Sequence, residues 1–307
     1  MTWFYVALLG PILYAVTNHI DKYILEKYFK SGEEGAMVLF SALAAVITMP
    51  IFLFVDSNPF AMDLTSKIVL TINGMLVVGC LILYLKALRD DEPSTVVPYY
   101  QTIPLFGFVL GYFVLGEVLG ARELLAGILI LIGTTIISLD FQNGVIQLKK
   151  RVALLMLSAS FIYAAVGVIF KMITVDESSF WSSVFWVFMG NIIAGVIIFI
   201  VVKSYRQQFL QIFRVNSGAV LTVSFINEIV FAAADGVSTY AVLLAPIALV
   251  MVVNGFQPLF VFLIGIGLTL FFPKLGRESM TGRDLAQKIV AIAFIIGGTI
   301  LLDINIG

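Results

Sequence analysis

Charge is scarce in this chain: Asp, Glu, Lys and Arg make up only 12% of its 307 residues, about half the share usual in a soluble domain. The 18 basic and 19 acidic residues leave a formal net charge of −1. That balance offers no basic surface for nucleic acid, and no zinc-finger, basic-zipper or RNA-binding signature accompanies it. A single cysteine, Cys80, excludes a disulfide framework and a cysteine-based metal centre. Set in an apolar run, it reads as a small core residue. The single histidine, His19, stands in no cluster with ligand spacing, so no metal site is expected. A phosphate-binding Gly-x-x-x-x-Gly-Lys-Ser/Thr is absent, which removes ATP as a direct energy source. Gly-x-Ser-x-Gly and His-Glu-x-x-His are absent too, which argues against an intramembrane enzyme working through Asp235 or His19. No cofactor is expected. The opening Met-Thr-Trp-Phe-Tyr lacks a basic stretch and a small-residue cleavage site, so the first apolar run is expected to remain as a span.

What fills the chain instead is apolar: 61% of residues are hydrophobic and the mean hydropathy is +1.07. Ten runs approach the ~20 residues that cross a bilayer as a helix. They cover Trp3 to Ile20, Gly35 to Val55, Ile68 to Leu88, Thr95 to Leu115, Leu119 to Leu139, Val152 to Phe170, Phe180 to Val202, Ala219 to Leu244, Ile247 to Phe272 and Leu285 to Leu302. The charged breaks between them, such as Lys203 to Arg214, are too short to house a soluble catalytic domain. The runs are also too long and too evenly apolar for the alternating strands of an outer-membrane barrel. Gly107 with Gly111, and Gly265 with Gly267, read as positions where helices approach closely.

The chain repeats itself. Tyr14, Asn18 and Lys22 recur every fourth residue along one helical face. Tyr163, Gly167 and Lys171 restate the pattern at an offset of 149. Either lysine alone would serve equally as an anchor snorkelling to the headgroups; the tyrosine repeated on the same face favours a site. Pro104-Leu105-Phe106-x-Phe108-x-x-Gly111 returns as Pro258-Leu259-Phe260-x-Phe262-x-x-Gly265, at an offset of 154. Ile132-Gly133-x-Thr135-Ile136 returns as Ile296-Gly297-x-Thr299-Ile300, at 164. An odd number of spans per half makes the halves enter the membrane from opposite sides. The expected fold is therefore an all-α membrane protein of ten transmembrane helices in two inverted five-helix repeats, residues 1–148 and 149–307. Inverted repeats are an architecture of alternating-access carriers, with substrate held near the midplane.

These repeats, the lysine closing the first helix of each, and Leu115-Gly116-Glu117-Val118-Leu119 followed by Gly127 and Gly133 resemble the EamA-type drug/metabolite transporter superfamily over nearly the whole chain. Two features depart from the family pattern. Tyrosine stands at Tyr14 and Tyr163 in place of the family's first-helix tryptophan, and the second half offers only Gly276-Arg277-Glu278 for the Gly-Glu element. The resemblance implies a carrier that moves small organic metabolites, often exporting amino acids or toxic compounds.

Polar groups inside the runs are the candidate site. Asn73 and Asn191, each alone among apolar neighbours, read as interhelical hydrogen bonds. Tyr84, Lys86 and Arg89 read as markers of the membrane interface. Pro98-Tyr99-Tyr100-Gln101-x-x-Pro104 and Asn254-x-x-Gln257-Pro258 place tyrosine and amide groups beside prolines that remove backbone donors within a run. Freed carbonyls at that depth are tolerated where they line a cavity or find a neighbour. Tyr14, Asn18, Lys22, Tyr100, Gln101, Tyr163, Lys171, Asn254 and Gln257 are the expected substrate-binding residues.

Glu228 and Asp235 lie seven apart on one face, flanked by Ser224 and Thr239. A charged carboxylate at mid-bilayer costs at least ~2.5 kcal/mol, so each must be ion-paired, protonated or facing water. Three roles stay open: an ion pair with Lys22, Lys86 or Lys171, a proton-coupling site, or a counter-ion for an ammonium substrate.

Of the 18 basic residues, 15 fall on the side of the odd-numbered loops, which predicts those loops in the cytoplasm and both termini outside. The expected function is a secondary transporter, an exporter of a small polar or amphipathic metabolite such as an amino acid or amine, in the plasma or inner membrane, acting as a monomer or homodimer among lipids. A flippase for lipid-linked or sugar-type substrates, or a channel, is the alternative.

Overall fold

The structure, a computed structural model, describes residues 2–28, 34–55, 58–90, 97–138, 150–175, 180–215, 217–271 and 282–303. Among the described residues the apolar runs are helical, apart from short breaks and turns. In the first half α1 spans Thr2–Tyr28, α2 Glu34–Val55, α3 Leu64–Asp90, α4 Ile103–Leu110 and α5 Ala121–Ser138. In the second, α6 spans Lys150–Thr174, α7 Phe180–Val201, α8 Lys203–Val215, α9 Ser217–Leu244, α10 Ile247–Asn254, α11 Gln257–Phe271 and α12 Gly282–Asp303. Lipid offers no hydrogen bonds to a backbone, so an apolar run of this length closes its N–H and C=O groups within a helix. Among the described residues six segments are long and apolar enough to cross a membrane, and Gly35–Val46, Tyr99–Leu115 and Ile289–Leu301 are shorter apolar helices. Large apolar side chains such as Phe113, Ile200 and Phe271 are exposed, as expected of a protein solvated by acyl chains.

The fourth and ninth runs, with prolines beside their polar residues, are broken rather than kinked, whereas Pro11 lies within the continuous α1 and Pro50 within α2. In the fourth, a 3-10 turn over Val97–Thr102 precedes α4, and Pro104 occupies the first turn of α4, where its missing N–H interrupts no helical bond. A π turn over Gly111–Leu115 follows, and Gly116 ends it at φ +67°, in the left-handed region that glycine enters without strain. The ninth run breaks at Gly255-Phe256 between α10 and α11, again with its proline, Pro258, in the first turn of the new helix. The charged break at Lys203–Val215 is a helix, α8, against the expectation of a loop. Its register places Gln208 Oε1 3.0 Å from the Gly35 N–H, and Arg206 donates to the terminal carbonyls of Phe199 and Ile200 on α7. Asp63 starts α3 by accepting from the Thr65 and Ser66 N–H groups. Hydrogen bonds from Ser66 and then Thr65 hold its carboxyl below the ordinary value.

Packing runs between the halves. α1 lies on α9 and α3 on α6, while α2 meets α7, α4 meets α10 and α5 meets α12. Close backbone approach decides the α5–α12 crossing and a further one between α3 and α7. Side chains at Gly74 or Gly190 would collide with the carbonyls of Val187 and Thr71, so α3 and α7 pack backbone to backbone. At the α5–α12 crossing a Cβ on Gly133 would lie 2.6 Å from Ala291 O, and one on Gly298 2.7 Å from Ala126 O. Gly133 thus packs on Ala291 and Ile295, and Gly298 on Ala126 and Ile130, whereas Gly297, the sequence match of Gly133, has open space around it. Gly107 and Gly111 do meet α10, through Met251 and Ile247, whereas Gly267 meets nothing within 4 Å.

Candidate functional site

Between the halves lies a cavity of about 710 Å³. Tyr14 lies on its wall. Its hydroxyl donates to Asp235 Oδ1 at 3.2 Å, and its ring leans on Phe231 with centroids 5.6 Å apart. Tyr163 lines the same cavity close enough to the Tyr14 hydroxyl to interact with it electrostatically, so the two tyrosines that match at an offset of 149 residues come together in space. The Tyr14–Asp235 bond joins α1 and α9, with Tyr163 of α6 beside it. Asn18, one turn beyond Tyr14, lines the same space, as do Glu228 and Asp235 from α9.

The broken runs supply the opposite wall. Tyr100 and Gln101 come from the 3-10 turn, and Asn254 and Gln257 flank the break between α10 and α11. Tyr100 stacks at a tilt on Tyr84, with centroids 5.4 Å apart. Gln101 is buried, and its Oε1 accepts from the Thr134 hydroxyl of α5 at 2.8 Å. That oxygen also stands 3.1 Å from where a Cβ on Gly255 would lie, which brings α5, the 3-10 turn and the second break together. Ser238 Oγ lies 3.4 Å from Asn254 Oδ1. Tyr84, expected at the interface with Lys86 and Arg89, lines the cavity instead; Lys86 is exposed, and Arg89 lies outside the residues whose side chains are described.

Two expected site residues are not in this group. The side chain of Lys22 lies outside the described residues. Lys171 does not line the cavity: its Nζ is 2.6 Å from Glu117 Oε1 and donates to Ala245 O at 2.6 Å. Glu117 Oε2 accepts from the Ile247 N–H at 2.7 Å, at the start of α10. The Gly-Glu element therefore clasps the end of α6 and the corner between α9 and α10. Gly116 makes this possible, because its left-handed φ turns the chain so that the Glu117 N–H returns to Gly111 O. His19 is bonded through Nε2 to Val261 O at 3.0 Å and lies outside the lining.

The sequence reading missed Thr17, Asn227 and Ser238, which also line the cavity. A signal was present for the last two: they continue the polar face of α9 that Ser224, Glu228, Asp235 and Thr239 define. Asn73 and Asn191 line the cavity as well, and Asn73 Nδ2 donates to Val166 O at 3.1 Å on α6.

The fold and this cavity define a multi-pass, all-helical membrane protein that encloses a polar, aromatic-lined space accessible to small molecules. Residues 1–139 match the EamA-like transporter family. No curated protein matches the chain significantly. A solved structure, titled only as the crystal structure of a protein, aligns over 99% of this chain and 96% of its own, at a TM-score of 0.66 and 13% identity. At that identity the likeness concerns the fold alone.

Proposed function

We propose that the chain is a secondary active carrier that exports a small polar or amphipathic organic metabolite across the plasma or inner membrane by alternating access. In this reading ten spans form two inverted repeats, residues 1–148 and 149–307, with odd-numbered loops in the cytoplasm and both termini outside. The observation that carries it is the convergence of Tyr14, Asn18, Tyr100, Gln101, Tyr163, Asn254, Gln257, Glu228 and Asp235 on one cavity between the halves. Exchange of the halves supports the inversion: it converts the α1–α9 contact into the α3–α6 contact and maps α2–α7, α4–α10 and α5–α12 onto themselves. The presence of the matched Tyr14 and Tyr163 together on the cavity wall supports a two-fold pseudo-axis passing between them.

The cavity wall reaches Met37 near the start of α2, Tyr84 near the end of α3 and Ser224 near the start of α9. These ends share one membrane face in the proposed topology. At the other face Glu117 and Lys171 bind the ends of α6, α9 and α10 together. The molecule is accordingly read as open toward the odd-numbered loops and closed by this ion pair. Coupling runs through Glu228 and Asp235, with proton and substrate competing for the same carboxylates. A screen of amino acids, amines, nucleosides and sugars for stabilisation of purified protein, followed by counterflow in proteoliposomes with whichever binds, tests this. A carrier gives trans-stimulated exchange; flux without trans-stimulation, as through a channel, refutes the reading.

A further inference from the structure

The polar groups of the cavity are unevenly divided between donors and acceptors of charge. Among the described lining residues there is no Lys, Arg or His. The lysine best placed to answer a substrate carboxylate, Lys171, is committed to Glu117 and Ala245 O outside the cavity. Asp235 is a carboxylate whose partner among the described residues is the Tyr14 hydroxyl, at 3.2 Å. The amide of Asn73 has a fixed orientation, because its Nδ2 donates to Val166 O at 3.1 Å; its Oδ1 is left buried with no donor, as is that of Asn191. Acceptors of this kind are satisfied by a guest that brings N–H or O–H donors. Around them stand the rings of Tyr14, Tyr163, Tyr100 and Phe231, whose faces attract a cation and exclude an anion.

We infer that the transported species is an organic cation, a protonated amine carrying N–H donors on an apolar or aromatic body, whose nitrogen sits on Asp235. This inference rests on the carrier reading of the same cavity and narrows it. A free amino acid is disfavoured, since its carboxylate would enter a low-dielectric space beside Asp235 with no described cation to meet it. The amine's nitrogen satisfies the carboxylate and its ring fills the space between the aromatic walls.

Four compounds built around one phenyl-alkyl skeleton separate the charge states: phenethylamine, phenylalanine, 3-phenylpropionate and 2-phenylethanol. Binding to the purified full chain is read by competition against radiolabelled phenethylamine. Phenethylamine is expected to bind at least about tenfold more tightly than the other three, a discrimination well within that of a desolvated ion pair. Asp235→Asn is expected to remove that preference and Asp235→Glu to retain it. The wild-type series decides alone if Asp235→Asn does not fold. Binding of phenylalanine or 3-phenylpropionate as tight as that of phenethylamine, no binding of phenethylamine, or undiminished amine binding by folded Asp235→Asn overturns the inference. Counterflow distinguishes its failure from that of the carrier reading. Exchange of phenylalanine without exchange of phenethylamine overturns the cation and leaves the carrier, whereas selective amine binding without any trans-stimulation supports the cation and overturns the carrier.

Discussion

Breaking the Glu117–Lys171 pair is the sharpest perturbation available. The two side chains are only 15% and 14% exposed, so removal of one strands the other in a poorly solvated place, a loss of ~3–5 kcal/mol for a buried pair. Lys171→Met leaves the Glu117 carboxylate with the Ile247 N–H as its donor among the described residues, and Glu117→Gln leaves the Lys171 ammonium with the Ala245 carbonyl. Because each survivor keeps one hydrogen bond, we expect the lower end, ~3 kcal/mol for either single change. The double variant has no stranded charge and should lose ~1–2 kcal/mol less than the sum of the singles. Unfolding of purified protein in mixed micelles, followed through Trp3, Trp181 and Trp186, measures the cycle. The same pair is proposed to close one face. With Cys80 replaced by Ser, a Val242→Cys probe on the cavity wall should react with an impermeant thiol reagent from the Ala245 side only when the pair is broken. Single variants whose effects add within ~0.5 kcal/mol would refute the coupling, and an unchanged side of access would refute the closure.

Glu228→Gln and Asp235→Asn carriers are expected to lose the pH dependence of transport in proteoliposomes; retention of the wild-type profile by both makes the carboxylates structural. Gly74→Leu should abolish accumulation of folded protein, since its side chain meets the Val187 carbonyl, while Gly79→Ala, which faces open space, should fold normally and be up to ~1 kcal/mol more stable. Fluorescence size-exclusion of detergent extracts compares the two. Topology reporters fused after Gly307 are expected on the outside, as the distribution of basic residues requires; a cytoplasmic signal reverses the orientation.

Much of the architecture was legible from residue types. Hydropathy alone located each helical run, because a backbone in lipid must bond to itself wherever the side chains are apolar. The α9 carboxylates, the amides beside Pro104 and Pro258 and the tyrosines of α1 and α6 were conspicuous for the same reason, being polar groups where polarity is penalised.

Partners were not legible. Lys22 and Lys171 are equivalent in sequence, and only the turn at Gly116 carries Glu117 to Lys171 and removes that cation from the cavity. Gly297 matches Gly133 in the repeat, but it is Gly298, one residue on, that faces α5 and packs on Ala126 and Ile130. Tyr84 sits among charged neighbours in sequence and stacks on Tyr100 in space. A lipid-facing surface and a protein-facing surface are equally apolar, so the sequence determined which residues are in the membrane and which are polar there. Rotation and register of the packed helices, set by backbone contacts at a few glycines, decided which polar groups share the cavity and which hold its closed end.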